Sequence, residues 1–322
     1  RKKIVMAIQI SAKLNRIRDC LRAIGLSKKI YAQWLSEFFL CQSEVGPCDQ
    51  RRPHQLTAEE IQTMRRLVTS KKYSHVSVHS LCFLAQRAKF LFCSIDSWYK
   101  YIRIFGWIRP RQKSEERFYR EGIRAKRPNE IWHIDATQVK TTDGETVYIQ
   151  VVYDNYSRYV IAWKVTSKIG GLSTVGLLAE AKSKVKELGC QLDSKVMMDG
   201  GPENDNGNVL NFITSKSLTR LIAQVDVHFS NSMDESLFRS LKSNFLNTEV
   251  LCSKSDVEQK VDFYFNEHND TIPKAVFKGA TPKEMFLNLW SESNVQELKS
   301  GLALARESRA LAYSQRSCVA CN

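Results

Sequence analysis

Residues 131–165, IWHIDATQVKTTDGETVYIQVVYDNYSRYVIAWKV, decide the fold of this chain. Apolar and polar residues alternate through IWHIDATQV, and the pair Asp143-Gly144 in TTDGET is typical of a hairpin turn. The segment TVYIQVVYDNYSRYVIAWKV then reads as two further strands, broken at residues 154–158. The stretch therefore predicts three consecutive antiparallel strands, and it places Asp135 on the first of them.

Two acidic residues downstream extend this pattern. A helix is predicted at about 172–188, and the short apolar strand LDSKVMMD that follows ends at Asp199. A later helix, SNSMDESLFRSLKSNF, carries Glu235. Between Asp135 and Asp199 lie 63 residues, and between Asp199 and Glu235 lie 35. Two strand-borne aspartates and one helix-borne glutamate suggest a three-carboxylate site for a divalent metal ion.

Helical geometry separates two sides of the segment around Glu235. On a helix that begins near Met233, the side chains of Glu235, Arg239 and Lys242 share one narrow face because they stand at i, i+4 and i+7. Another side is apolar and is expected to pack on the sheet: Leu237, Phe238, Leu241 and Phe245. The alternative interpretation is that these charged residues only form ion pairs on the surface, and such pairs contribute little stability.

The charge of the chain is concentrated in its first part. The 322 residues carry a formal net charge of +14, with +17 in residues 1–128 and −3 in the remainder. A basic front joined to a mildly acidic body indicates that the front binds a polyanion. With 43% apolar and 25% charged residues, the chain has the composition of a globular protein of two or three domains.

The basic front divides into helical segments. Residues 1–45 show a helix-turn-helix pattern, in which Gly25 ends one helix, Ser27 caps the next, and Lys28 and Lys29 stand where a recognition helix meets DNA. An ordinary helical hairpin explains this pattern equally well. Residues 55–106 predict a second helix-turn-helix-like module, residues 107–128 a basic linker, and residues 291–322 a helical tail.

The cysteines and apolar segments bear on cofactors and location. Nine scattered cysteines indicate free thiols in a reducing compartment, and no stretch approaches the length of a membrane span. We therefore expect a cytoplasmic protein without a membrane partner. A zinc site from His75, His79, Cys82 and Cys93 does not have the spacing of a standard zinc finger, so ordinary packing is the preferred interpretation.

Several blocks of residues 128–288 together resemble the integrase-core DDE transposases of bacterial insertion sequences. They are WHIDATQV, YDNYSRYVIAW, MDGGPEN, HFSNSMDESLFRSLKSNF and FYFNEHNDTIPKAVFKGATPKEMF. The resemblance implies an α/β RNase H-like core at 129–290, with a mixed five-stranded sheet whose first and fourth strands are neighbours. It also implies that the helix-turn-helix regions in front bind the terminal repeats of the mobile element.

The resemblance assigns roles to individual residues. Asp135, Asp199 and Glu235 correspond to the three catalytic carboxylates, which hold two Mg²⁺ ions, with Mn²⁺ as a substitute. Lys242 corresponds to a cation that contacts DNA near the cut, and Arg239 and Asn231 are further candidate DNA contacts. The implied reaction cleaves a strand at the element end and joins the 3′-hydroxyl to target DNA by two-metal-ion phosphoryl transfer. Double-stranded DNA and other copies of the chain are the implied partners.

Two alternatives remain open from the sequence. One is a DNA-binding regulator, catalytically inactive or domesticated, with an RNase H-like body. The other is a metal-dependent nuclease without joining activity, which would use the same carboxylates.

Overall fold

A computed structural model of the protein describes residues 2–40, 55–109, 123–191, 193–199, 206–215, 218–222 and 232–314. The side chains of residues 2, 36–40, 222, 232–235, 313 and 314 lie outside this description. The chain forms two compact units, one of residues 1–57 and 303–322 and the other of residues 58–302. The five domain boundaries predicted from the sequence stay predictions.

Three helices make up the described front of the first unit: α1 Lys2–Ser11, α2 Ile17–Ala23 and α3 Lys28–Leu40. Their common core consists of Val5, Ile8, Leu21 and Tyr31. Gly25 has a φ of 67°, which favours glycine, and it follows α2 as predicted. The Ser27 hydroxyl accepts a hydrogen bond from Ile30 N at 3.2 Å, so Ser27 caps α3.

The second unit opens with three more helices: α4 Ala58–Thr69, α5 Val78–Arg87 and α6 Ile95–Phe105. Ser77 and Ser94 cap α5 and α6 through their hydroxyl oxygens, and Gly106 ends α6 in the left-handed conformation. Each of these helices has a fully buried side chain, namely Met64 of α4, Leu81 of α5 and Trp98 of α6. The predicted helical character of residues 55–106 agrees with these three helices, and the helix-turn-helix-like role stays a prediction.

The central sheet belongs to the same unit. Its elements and the helices between them are β1 Ile131–Lys140, β2 Thr146–Asp154, β3 Val160–Thr166, α7 Gly171–Glu187, β4 Lys195–Met198, α8 Gly207–Ser215, β5 Thr219–Ile222 and α9 Ser232–Asn244. The strand order is β3-β2-β1-β4-β5. Strands β1, β2 and β3 are antiparallel neighbours, whereas β4 pairs in parallel with β1 and with β5. This mixed five-stranded arrangement confirms the predicted RNase H-like fold.

Helices cover both faces of the sheet. On one face, α7 packs its buried Leu177 and Leu178 against a core that includes Trp132 and Val196. The other face is lined by the odd-numbered residues of β2, among them Val151. Apolar side chains of α9, of α10 (Lys254–Asn266) and of Phe245 just after α9 pack there: Leu237, Phe238, Leu241, Phe245, Val257, Val261, Tyr264 and Phe265. The predicted apolar side of α9 is confirmed.

Two helices follow α10 in the described chain, α11 Pro282–Phe286 and α12 Glu292–Ser314. Thr281 and Glu284 form a capping box at the start of α11, where Pro282 occupies the first helical position. Within the described ranges, every helix is too short or too polar to cross a membrane.

Arg87 fastens α5 to α11. Its guanidinium donates to both carboxylate oxygens of Glu284, at 2.7 and 2.5 Å, and to the carbonyl oxygen of Gly279 at 2.8 Å. The guanidinium carbon also lies 4.7 Å from the ring centre of Trp290. Burial opposes ionisation of Glu284, but hydrogen bonds from Arg87 and Thr281 hold the pKa of Glu284 below its usual value. Helices α4–α6 are therefore held to the core by a charged, bidentate contact.

We expect Arg87→Met to lower the free energy of unfolding at pH 7 by about 1–2 kcal/mol, because Glu284 loses its partner while three-quarters buried. Since the folded-state pKa of Glu284 is depressed, this contribution is present above the unfolded-state pKa of about 4.3 and is lost as the pH falls through the folded-state value. Urea unfolding at pH 7 and at lower pH measures both effects. Arg103→Met, at an exposed position of α6, is the control; equal losses in the two variants would contradict the prediction.

Candidate active site

Asp135 and Asp199 occupy level positions on neighbouring strands. The parallel register of β1 and β4 pairs Trp132 with Val196 and His133 with Met197. Continued by two residues, the same register brings Asp135, within β1, opposite Asp199, which follows the last residue of β4. Because neighbouring strands lie about 4.8 Å apart, the two half-buried residues are side by side. The predicted proximity of the strands that carry the first two carboxylates is confirmed.

The alternation of strand residues fixes the face on which these carboxylates lie. Asp135 pairs with Val151 of β2, and Val151 belongs to the core beneath α9 and α10. Asp199 lies two residues beyond Met197, the partner of His133, so Asp199 shares the face of His133 and Asp135. Both aspartates therefore lie on the face that α9 covers.

Glu235 lies in the first turn of α9, two residues before the buried Leu237 that packs on this face. Its side chain is outside the described residues, so its predicted approach to the two aspartates stays a prediction. On α9 itself, the described side chains of Leu237, Phe238 and Leu241 pack on this face. Among the side chains that the structure describes, no three His, Cys, Asp or Glu residues form a metal-binding cluster.

The predicted DNA contacts differ in their surroundings. Arg239 is exposed on α9, while Lys242 in its last turn is half-buried, and burial lowers the pKa of Lys242. Lys28 and Lys29 are exposed as the first two residues of α3. Asn231 lies outside the described residues. The DNA-binding roles of all five residues stay predictions.

Asn129 is a structural hub of the site that the sequence analysis missed. Its side-chain oxygen accepts hydrogen bonds from Trp132 Nε1 at 2.7 Å and from the Ser194 hydroxyl at 3.1 Å. Its backbone N–H donates to Asp154 Oδ1 at 2.8 Å, and its side-chain nitrogen donates to the carbonyl oxygen of Gln191. The residue has a φ of 61° and is buried. Asn129 thus ties the start of β1 to the start of β4, which fixes the register of the two aspartates.

His133 and Asn155 form a second buried contact near the site. The side-chain nitrogen of Asn155 donates to His133 Nε2 at 2.7 Å, and the His133 ring stacks on Tyr153 at 5.1 Å. Asn155 Oδ1 also accepts from Ala125 N at 2.7 Å, which holds the end of the basic connector on the sheet. His133 is thus held in place by a hydrogen bond and by ring packing.

The part of the chain that forms the sheet is similar to a known protein family. Residues 125–233 match the family model of the integrase core domain. The matched range includes Asp135 and Asp199 and ends two residues before Glu235.

Proteins similar to about half of this chain come from bacterial insertion elements. An uncharacterized protein of insertion element IS136 from Agrobacterium fabrum (strain C58 / ATCC 33970) is 21% identical over 165 residues, covering 50% of this chain and 85% of that protein. The transposase for insertion sequence element IS904 from Lactococcus lactis subsp. lactis (strain IL1403) is 22% identical over 149 residues, covering 46% of this chain and 57% of that protein. These similarities agree with the predicted resemblance to insertion-sequence transposases.

Two solved structures show weak likeness to the chain. The HTLV-2 integrase catalytic core domain in complex with magnesium has a TM-score of 0.41 and 21% identity, covering 51% of this chain and 99% of that one. The catalytic domain of the Mos1 mariner transposase has a TM-score of 0.37 and 11% identity, covering 83% of this chain and 100% of that one.

The four residues weighed as zinc ligands lie in two kinds of surroundings: the two histidines contact aromatic rings, and the Cys82 thiol donates to the carbonyl oxygen of Cys93. His75 lies among the rings of Phe245, Phe263 and Tyr264, and His79 lies edge-on to Tyr99. Cys82 and Cys93 are buried, and burial raises the pKa of the Cys82 thiol to about 12. The packing interpretation agrees with these surroundings.

Proposed function

We propose that the chain is a DNA transposase that binds the ends of its mobile element, cleaves a strand there, and joins the 3′-hydroxyl end to target DNA. The observation that carries this proposal is the parallel register of β1 and β4. It sets Asp135 level with Asp199 on the sheet face that α9 covers, and α9 carries Glu235. The bacterial insertion-element relatives support the same function.

We assign Asp135, Asp199 and Glu235 as the residues that would hold divalent metal. The donor set fits Mg²⁺ or Mn²⁺, because these hard cations prefer carboxylate oxygens. Two strand-borne carboxylates side by side already supply oxygen donors from separate elements, which leaves coordination positions for a phosphate. When bound, the metal supplies Lewis-acid stabilisation of the charge that develops on the phosphate oxygens and activates the attacking oxygen.

The remaining residues of the site would act on the DNA itself. Arg239 and Lys242 stand at i and i+3 on α9, so their side chains share one side of the helix. A phosphate backbone that lies along this side meets two cations, one exposed and one half-buried. Partial burial weakens the hydration of Lys242 and thereby favours an anionic partner. We propose that the two cations position the DNA strand beside the carboxylates.

The proposed partners are the double-stranded terminal repeats of the element, the target DNA, and further copies of the chain. Strand joining requires two DNA segments at once, so an oligomer assembled on DNA is the expected working form. Specific binding of the ends is assigned to the basic front, where Lys28 and Lys29 begin α3.

The test uses duplex oligonucleotides that carry the inverted repeats flanking the gene. We expect nicking at the element end and joining to a second duplex with Mg²⁺ or Mn²⁺, and loss of both products when EDTA replaces the metal. Gel analysis of labelled strands measures both steps. Nicking without joining would indicate a plain nuclease. Binding without either product would indicate a catalytically inactive regulator.

A further inference from the structure

Three aromatic rings form a continuous stack at the end of α6. Tyr101 and Phe105 stand at i and i+4, with ring centres 6.0 Å apart and ring planes 14° from parallel. Trp107 follows the helix cap, and its ring lies 5.2 Å from that of Phe105, again at 14°. Tyr101, Phe105 and Trp107, termed here the aromatic stack, have no role in the proposed cleavage and joining.

The backbone holds the aromatic stack in place from both sides. Gly106, with a φ of 60°, ends α6, and Trp107 N donates to the carbonyl oxygen of Ile102 at 3.1 Å. Two residues later, the Arg109 guanidinium donates to the carbonyl oxygens of Tyr73 and Val76, at 2.6 and 2.7 Å. Trp107 therefore lies between two fixed points, so the rings need little reorganisation to receive a ligand.

The surface around the stack is apolar and open to solvent. Phe105 is 50% exposed to solvent, and its neighbours Ile104 and Ile108 are 60% and 86% exposed. Large apolar side chains that are exposed next to one another are typical of interaction surfaces. The rings are held parallel rather than edge-on, which leaves the stack suited to extension by a further flat ring.

Charge indicates what that ligand is. Lys100 is exposed on α6 immediately before Tyr101, whereas Arg103 lies about 160° around the helix from both Tyr101 and Phe105. The connector that begins at Trp107 is basic in sequence, with eight Lys and Arg residues against three Glu in residues 107–128. Flat apolar groups linked by anionic groups match an aromatic stack beside Lys100, and unpaired nucleotides have this chemistry.

We propose that the aromatic stack binds unpaired bases of a DNA strand, with Lys100 on an adjoining phosphate. A base continues the stack of rings, while the cation neutralises the backbone without reading sequence. The inference rests on the proposed function for the source of the strand, namely the opened DNA at an element end or at the target. Base stacking adds a single-strand preference that the proposed cleavage and joining site does not provide.

The test measures binding of a fluorescein-labelled, mixed-sequence single strand of about 15 nucleotides by anisotropy, in EDTA. We expect Phe105→Ala and Phe105→Leu each to weaken binding about tenfold, because leucine keeps apolar area but has no ring face. Phe90→Ala, an exposed aromatic in the α5–α6 loop outside the stack, is the matched control and should bind as the parent does. Affinity for the corresponding duplex should change less than twofold.

Four outcomes would overturn the proposal. Three of them concern affinity: unchanged single-strand affinity in both Phe105 variants, an equal loss of single-strand affinity in Phe90→Ala, or an equal loss of duplex affinity. The fourth is a shift in oligomeric state caused by Phe105→Ala but not by Phe105→Leu, which would indicate an apolar contact between copies of the chain. Melting temperatures check that the variants fold. Because the measurement contains no divalent metal, it is independent of whether the parent cleaves DNA, so failure of the proposed function is detected separately.

Discussion

Asp199→Asn is expected to reduce strand nicking and strand joining by at least about 10³-fold, while binding to element-end DNA stays within about twofold. The amide is nearly the same size as the carboxylate, so the packing at the end of β4 is kept. It carries no negative charge, however, so it is a much weaker ligand for a hard divalent cation. The measurement compares rates of product formation for parent and variant on the same labelled duplex in Mg²⁺.

The matched control is Asp193→Asn, the same chemical change shortly before β4. Asp193 is 82% exposed and lies 3.1 Å from Arg127 in a solvent-accessible ion pair, which contributes little to stability. We expect this variant to nick and join as the parent does. Activity retained in Asp199→Asn, or lost equally in Asp193→Asn, would mean that the carboxylate of Asp199 is not part of the active site.

Asn129→Ala should lower the free energy of unfolding by about 3 kcal/mol. The buried Trp132 Nε1 loses its acceptor, Gln191 O loses a donor, and alanine is disfavoured at a φ of 61°. Because these contacts tie β1 to β4, we also expect slower nicking under conditions where the variant is folded. Urea unfolding followed by circular dichroism measures the first effect, and the DNA nicking assay measures the second.

Asn129→Gly separates the effect of the lost side-chain hydrogen bonds from the effect of the left-handed backbone conformation. Glycine accepts the left-handed backbone but also lacks the side-chain amide, so its loss should be about 1 kcal/mol smaller than that of the alanine variant. If both variants lose less than about 1 kcal/mol, the hydrogen bonds of Asn129 do not hold the two strands together.

Much of the fold could be predicted from local patterns. Alternation around Asp135 predicted β1, the Asp143-Gly144 pair predicted the hairpin, and Ser27 caps α3 where expected. These signals act within a few residues, which is why they are visible in the sequence. Strand β5 was not identified along the chain, because its four residues carry no clear alternation and its pairing with β4 is a long-range contact.

The hub at Asn129 and the contact between Arg87 and Glu284 were also missed. Asn129 joins residues 62 and 65 positions away, and Arg87 reaches a partner 197 positions away. An asparagine before a strand and an arginine near the end of a helix are common, so neither has a signal of its own. Partners at such separations become visible once the chain is folded.

The sequence by itself determined which residue types stand at which spacing: three acidic residues, a basic front and an apolar side of α9. Those features follow from composition and from the periods of strand and helix. The tertiary structure decided which of them meet. The parallel pairing of β1 with β4 sets Asp135 beside Asp199, and the packing of Leu237 and Leu241 places α9 over the same face. This pairing and packing are stabilised by burial of the whole sheet between two layers of helices. Because that free energy comes from contacts between distant segments, no single segment of the sequence shows it.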